Sequence, residues 1–143
     1  MEAWSVALLK RLEWPRFEEL CIQYFRQLGF DAEASQVRSD GGRDIHIKVE
    51  GREQPAILAQ CKCWRGHSVN ENPVRAMHAI MAEQSIGEGV MITPTKFTAE
   101  ARELAAACNI TLIDGPDLVR KIEALLPGQS ALLLSVAQDR RAA

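Results

Sequence analysis

Ser39-Asp40-Gly41-Gly42-Arg43-Asp44-Ile45-His46-Ile47-Lys48-Val49 is the stretch on which the reading of this chain turns. Ser39 to Gly42 have turn-forming composition, and after them Ile45, Ile47 and Val49 alternate with Asp44, His46 and Lys48. A period of two residues is that of a β-strand with one apolar and one polar face. Glu50-Gly51-Arg52 turns the chain, and Ala56 to Lys62 returns as a second strand of a hairpin. With that hairpin centred near Glu53, opposed residue numbers sum to about 106. Asp44 then lies beside Lys62 and His46 beside Gln60, so four polar groups meet on one face.

Working outward, the period becomes helical on the N-terminal side. Phe17, Leu20, Cys21, Tyr24, Phe25 and Leu28 recur at three- and four-residue intervals, with Pro15 in the first turn and Gly29 at the C-terminal cap. The spacing predicts a helix over Pro15 to Leu28, preceded by a short amphipathic stretch from Val6 to Leu12 and followed by a strand from Phe30 to Val37. On the other side, Asn72-Pro73 opens a helix carrying Val74, Met77, Ile80 and Met81 that stops near Gly87. Gly89 to Thr93 is a short apolar strand, Thr98 caps a helix running to Cys108, and Ile110 to Ile113 is another strand. Gly115-Pro116 opens a last helix closed by Pro127-Gly128, which leaves the apolar Leu132-Leu133-Leu134 unassigned. The expected fold class is α/β, a mixed sheet flanked by helices in the order αβββαβαβα. Strands joined by tight turns pair antiparallel, and those joined through helices pair parallel. The expected divisions are an N-terminal helical extension at 1–13, a main domain at 14–126 and a C-terminal tail at 127–143.

Composition narrows the class of function. With 143 residues, 47% hydrophobic and 25% charged, the chain has the balance of one globular domain, which excludes disordered and collagen-like classes. Lys and Arg number 17 against 19 Asp and Glu, a formal net charge of -2, so any phosphate site must be local or assisted by a metal. No apolar run spans a bilayer, and Met1-Glu2-Ala3-Trp4 has no signal-peptide character, so the expectation is a cytoplasmic protein with no membrane partner. The four cysteines are expected as thiols. Cys61 and Cys63, with His67 and His78, have a superficial likeness to a zinc set, but the one-residue spacing departs from ligand pairs and Cys61 shares the apolar face of its strand.

The chemistry follows from residue types. Asp44 offers a hard oxygen of the kind Mg²⁺ prefers, and the Gln60 amide carbonyl offers another. Glu18 or Glu19, on the preceding helix, can complete such a shell, since Mg²⁺ keeps several waters. Lys62 is placed to hold an attacking water or to neutralise charge on a phosphate. The competing reading of Asp44 and Lys62 is a cross-strand ion pair worth roughly 0.2–1 kcal/mol. Early-turn carboxylates such as Glu18 and Glu19 also complement the helix dipole. His46 is a polar neighbour without a role.

Phe17-Glu18-Glu19-Leu20, Leu28-Gly29-Phe30, Asp40-Gly41-Gly42-Arg43-Asp44, Gln60-Cys61-Lys62, Met91-Ile92-Thr93 with Phe97-Thr98, and Leu112-Ile113-Asp114-Gly115 occur in one order along the chain. In that order, from about Trp14 to Leu126, they resemble the catalytic domain of Mrr-like restriction endonucleases. The resemblance implies a restriction-endonuclease-like, PD-(D/E)xK core that cleaves DNA with Mg²⁺, or with Mn²⁺ in its place, leaving 5′-phosphate ends. It implies Asp44 as the metal-binding aspartate, Gln60 at the D/E position, Lys62 as the catalytic lysine and Glu18 as the helix carboxylate, with Glu19 in reserve. Glutamine departs from the general acidic pattern and matches the QxK form of Mrr-like domains, at the cost of one negative charge in the metal shell.

Gly42, Arg43, Arg65 and Lys96 are the expected DNA contacts, joined by Arg38 and Lys48. Trp64 and Arg65 stack on a base or line the groove, or Trp64 is a strand-end residue partly in the core. Family members often carry a separate DNA-binding domain, for which this length leaves no room. Sequence recognition, if any, is then expected from loops, from a homodimer or from a separate recognition subunit. Three other classes compete: a Holliday-junction-resolvase-like nuclease, a DNA-binding module that has lost catalysis, and an assembly domain that uses the fold as scaffold.

Overall fold

The computed structural model describes residues 3–139. Its elements in chain order are α1 (Val6–Arg11), α2 (Trp14–Gln27), β1 (Asp31–Ala34), β2 (Asp44–Lys48), β3 (Ile57–Cys61), α3 (Glu71–Gln84), β4 (Glu88–Ile92), α4 (Ala99–Ala107), β5 (Ile110–Ile113), α5 (Gly115–Glu123) and α6 (Pro127–Gln138). The five strands form one sheet in sequence order. β1, β2 and β3 pair antiparallel, while β3, β4 and β5 pair parallel through the crossover helices. The mixed sheet flanked by helices matches the expected class, and the predicted order stands with α1 ahead of it and α6 behind it.

Alternation in the strands divides the core in two. Ile45, Ile47, Ala59, Cys61, Val90, Ile92 and Ile113 face α2, α5 and α6, where Phe17, Leu20, Leu118, Ile122 and Leu133 are buried. Leu58, Met91 and Ile110 face α3 and α4, meeting Val74, Met77, Met81, Ala101 and Ala105. Cys21 and Cys61 lie in the first layer as free thiols. A hydrogen bond between its S–H and Cys21, with burial added, pushes the Cys61 thiol well up. Both are core residues, and among the described residues no group of three His, Cys, Asp or Glu side chains could hold a metal.

Several boundaries differ from the expectations for local physical reasons. α2 begins at Trp14 with Pro15 in its first turn, and Gly29 follows its end at φ +95°. β1 stops at Ala34, because Ser35 turns inward to β2: its N–H donates to Asp44 O at 2.8 Å and its Oγ accepts from Asp44 N at 3.0 Å. Asn70, rather than Asn72, caps α3 by accepting from Asn72 N. Thr98 caps α4 as expected, while Asp114 and Asp117 form a capping box on α5. The stretch holding Leu132, Leu133 and Leu134 is α6, which packs against α2 with Leu133 fully buried. No helix among the described residues is long and apolar enough to cross a membrane.

The largest difference is the hairpin register. Asp44 pairs with Gln60, Ile45 with Ala59, His46 with Leu58 and Ile47 with Ile57. Every opposed pair therefore sums to 104. The turn closes one residue earlier than expected, where Arg52 N–H donates to Val49 O at 3.1 Å around Gly51 at φ +86°. A centre moved by one residue slips the partners by two, so every side chain keeps its face.

Candidate active site

The polar side chains meet where β2 begins and β3 ends. Asp44, the first residue of β2, is 8% exposed, and Gln60 opposite it is 2% exposed. Gln60 Nε2 donates to Asp44 Oδ1 at 2.7 Å. Lys62 lies one residue beyond β3 and continues the ladder, its N–H donating to Ile92 O at 2.8 Å. This fixes Lys62 on the face of Gln60 by strand alternation.

The predicted neighbour of Lys62 was Asp44, and the predicted neighbour of His46 was Gln60; both pairings are corrected by the register. Lys62 Nζ donates instead to Asp40 Oδ2 at 2.9 Å and lies 5.9 Å from the Trp14 ring centroid. His46 opposes Leu58 and reaches Gln84 Oε1 at the end of α3, 2.8 Å away. His46 thus leaves the polar cluster.

The turn that opens β2 is held by the carboxylates themselves. Asp40 Oδ1 accepts from Gly42 N at 3.0 Å, and Glu18 Oε2, on α2, accepts from Arg43 N at 2.8 Å. Gly42 is buried beneath Trp14: a Cβ built there would stand 2.7 Å from Trp14 Cζ2. Gly42 and Arg43 therefore contribute backbone N–H groups to this turn, and the Arg43 side chain is exposed. Arg38 crosses the site, with Nη1 donating to Asp44 Oδ1 at 2.9 Å and Nη2 to Asp40 Oδ2 at 3.2 Å. It was expected on phosphate and is found on two carboxylates.

Electrostatics separate the two outer carboxylates. Burial pushes the Glu18 carboxyl up, against the Arg43 N–H and charge. For Asp40 burial also pushes up but is outweighed by the hydrogen bonds from Lys62 and Gly42 and by the charges of Lys62 and Arg38, which hold the group at about 2. Glu19 faces away from this chemistry and accepts from Gln23 at 2.9 Å. Of the other expected DNA contacts, Arg65 pairs with Glu13 at 3.6 Å, and it lines a separate cleft together with Lys96.

Asp40 and Trp14 are the residues that sequence reasoning missed. The Asx turn from Asp40 to Gly42 was legible in Asp-Gly-Gly. That its second oxygen reaches Lys62, 22 positions on, was not.

Three oxygens remain unclaimed: among the described residues, Glu18 Oε1, Asp44 Oδ2 and Gln60 Oε1 accept no hydrogen bond. Among the described residues, the one fully buried side-chain polar atom without a partner is Trp14 Nε1, so each of these oxygens retains access to solvent. Two carboxylates and an amide carbonyl are the donor types of a hard divalent cation that keeps several waters.

Fold and site together place the molecule among restriction-endonuclease-like α/β domains. The structure aligns over 92% of its length with the DNA modification-dependent restriction endonuclease AspBHI at a TM-score of 0.64 and 18% identity, covering 38% of that chain. It aligns over 90% with the MspJI restriction endonuclease, solved in complex with a 27-mer oligonucleotide, at a TM-score of 0.57 and 21% identity, covering 33% of that chain. Residues 9–122 match the family model Mrr_cat, described as restriction endonuclease, and the chain belongs to that family. The type IV methyl-directed restriction enzyme EcoKMrr of Escherichia coli (strain K12) is 28% identical over 127 residues, 85% of this chain and 41% of that protein. The chain thus spans less than half the length of these relatives.

Proposed function

We propose that this chain is the hydrolytic module of a restriction-type DNA endonuclease, cutting phosphodiester bonds with Mg²⁺ or Mn²⁺ in cytoplasmic defence of the type IV kind. The observation that carries the reading is the meeting of Asp44, Gln60, Glu18 and Lys62 where β2 begins and β3 ends, with three oxygens left unclaimed near a restrained ammonium group. Membership of the restriction endonuclease family supports it.

Asp44 Oδ2, Gln60 Oε1 and Glu18 Oε1 would hold the cation. Bound there, it would acidify water and withdraw charge from the phosphate. Lys62 supplies a fixed ammonium group to a phosphate oxygen or to the attacking water. Asp40 acts as a positioning residue, holding Lys62 at 2.9 Å until a phosphate competes for it. Arg38 neutralises part of the charge on Asp44 and Asp40 in the metal-free site. Selection of the DNA, where there is any, we assign to loops around the site, to a second copy of the chain or to a separate recognition subunit.

Supercoiled plasmid incubated with the full chain and either cation tests the reading. Nicked or linear product with ligatable 5′-phosphate ends is expected, and none in chelator. Intact plasmid in both cations, from folded protein, would contradict it.

A further inference from the structure

A cleft of about 560 Å³ opens beside the Lys62 edge. Its walls come from distant parts of the chain: Cys63, Trp64, Arg65 and His67 after β3, Lys10 of α1, and Lys96 after β4. The two loops are tied together, because Val69 N–H donates to Lys96 O at 2.8 Å and Thr98 N–H donates to Val69 O at 3.0 Å. A small parallel bridge between Val69 and Phe97 results, so the cleft is built into the backbone.

Its chemistry is distinct from the rest of the surface. No Asp or Glu lines it, in a chain whose formal net charge is -2. Lys10 and Lys96 line it without an ion-pair partner among the described residues, while Arg65 is tethered only loosely to Glu13 at 3.6 Å, both side chains being largely exposed. The same cleft is lined by an aromatic pair, half-buried Trp64 and exposed His67, with ring centroids 5.0 Å apart and planes inclined at 60°. Cations flanking an aromatic platform suit a ligand with one flat ring and a phosphate on either side. Trp64 stands two positions after Lys62, a reach of at most ~7 Å, or roughly two base steps.

We propose that this cleft binds an unstacked nucleotide of a DNA strand, its base on the Trp64 indole and its flanking phosphates on Lys10 and Lys96. The inference deepens the nuclease reading and rests on it for the substrate class. It implies that the strand entering the site is locally unpaired next to the phosphate to be cut.

The test is anisotropy of a fluorescein-labelled thymidine hexanucleotide titrated with the full chain in chelator, where no cleavage intrudes. Trp64→Ala is expected to weaken binding roughly 10-fold or more, and Trp64→Phe to restore most of it. Lys10→Ala and Lys96→Ala, both at exposed positions, are each expected to lower the slope of log affinity against log salt by about 0.7. Unchanged affinity in Trp64→Ala, no recovery in Trp64→Phe, or unchanged salt slopes would overturn the assignment. Plasmid cleavage by the wild-type chain alongside any of those results would leave the nuclease reading standing. The expected hexanucleotide results without plasmid cleavage would keep the cleft and reject the nuclease.

Discussion

Glu18 lies almost fully buried with one oxygen on the Arg43 N–H and the other unclaimed. Its carboxyl is raised by burial, so the folded state favours the protonated form. The stability that form contributes is present below the ordinary carboxylate range and is lost as pH rises through the raised value. Glu18→Gln keeps the acceptor and removes the charge, so it is expected to stabilise the fold at pH 7 by about 0.5–2 kcal/mol while depressing cleavage. Thermal melts from pH 4 to 8 check this, and the gap between variant and wild type should close at the acid end. Asp40 has the opposite sign. Held at about 2 against an unfolded value of 3.8, it stabilises above pH ~4 and ceases to as pH falls toward 2. Asp40→Asn should flatten the acid limb of a urea midpoint measured from pH 2 to 5. Gln60→Glu replaces a donor with a carboxylate 2.7 Å from Asp44 Oδ1. Roughly 1–3 kcal/mol of metal-free stability should be lost. Mg²⁺ should then raise the melting temperature of the variant more than that of the wild type.

At the scale of elements, the hairpin of β2 and β3 decides which of these residues meet. Alternation made the polar face legible, because period two assigns a side to Asp44, Gln60 and Lys62 whatever the exact turn. The partners were not legible, since Glu50 to Pro55 contains several positions at which a turn can close. The helix caps at Pro15, Thr98 and Gly29 could be read because each acts on its immediate neighbours. α6 could not, as its apolar residues gain meaning only against α2. The turn before β2 makes a sharper prediction. Gly42 is required by space rather than by backbone angle, with Trp14 in the place of any side chain. Gly42→Ala should cost about 1–3 kcal/mol in urea denaturation, and Trp14→Ala in the same chain should relieve part of that clash.

Over the whole molecule, the parallel half of the sheet and its crossover helices serve as scaffold for the end of β3. Met91 and Ile92 of β4 oppose Gln60 and Cys61, which anchors the end of β3 from which Lys62 projects. The candidate residues on the strands were visible as a pattern, and Glu18 through the likeness of Phe17-Glu18-Glu19-Leu20 to a known domain. Asp40, Arg38 and Trp14 join them only in three dimensions, because their contacts with Lys62, Asp44 and Gly42 cross between elements. In the proposed function the ammonium group of Lys62 acts on a phosphate where β2 begins and β3 ends. The most direct test is the rate at which Lys62→Ala nicks supercoiled plasmid in Mg²⁺, set against the wild type with both folded by circular dichroism. A fall of at least about 100-fold is expected; a variant that nicks as fast as the wild type would contradict that role for Lys62.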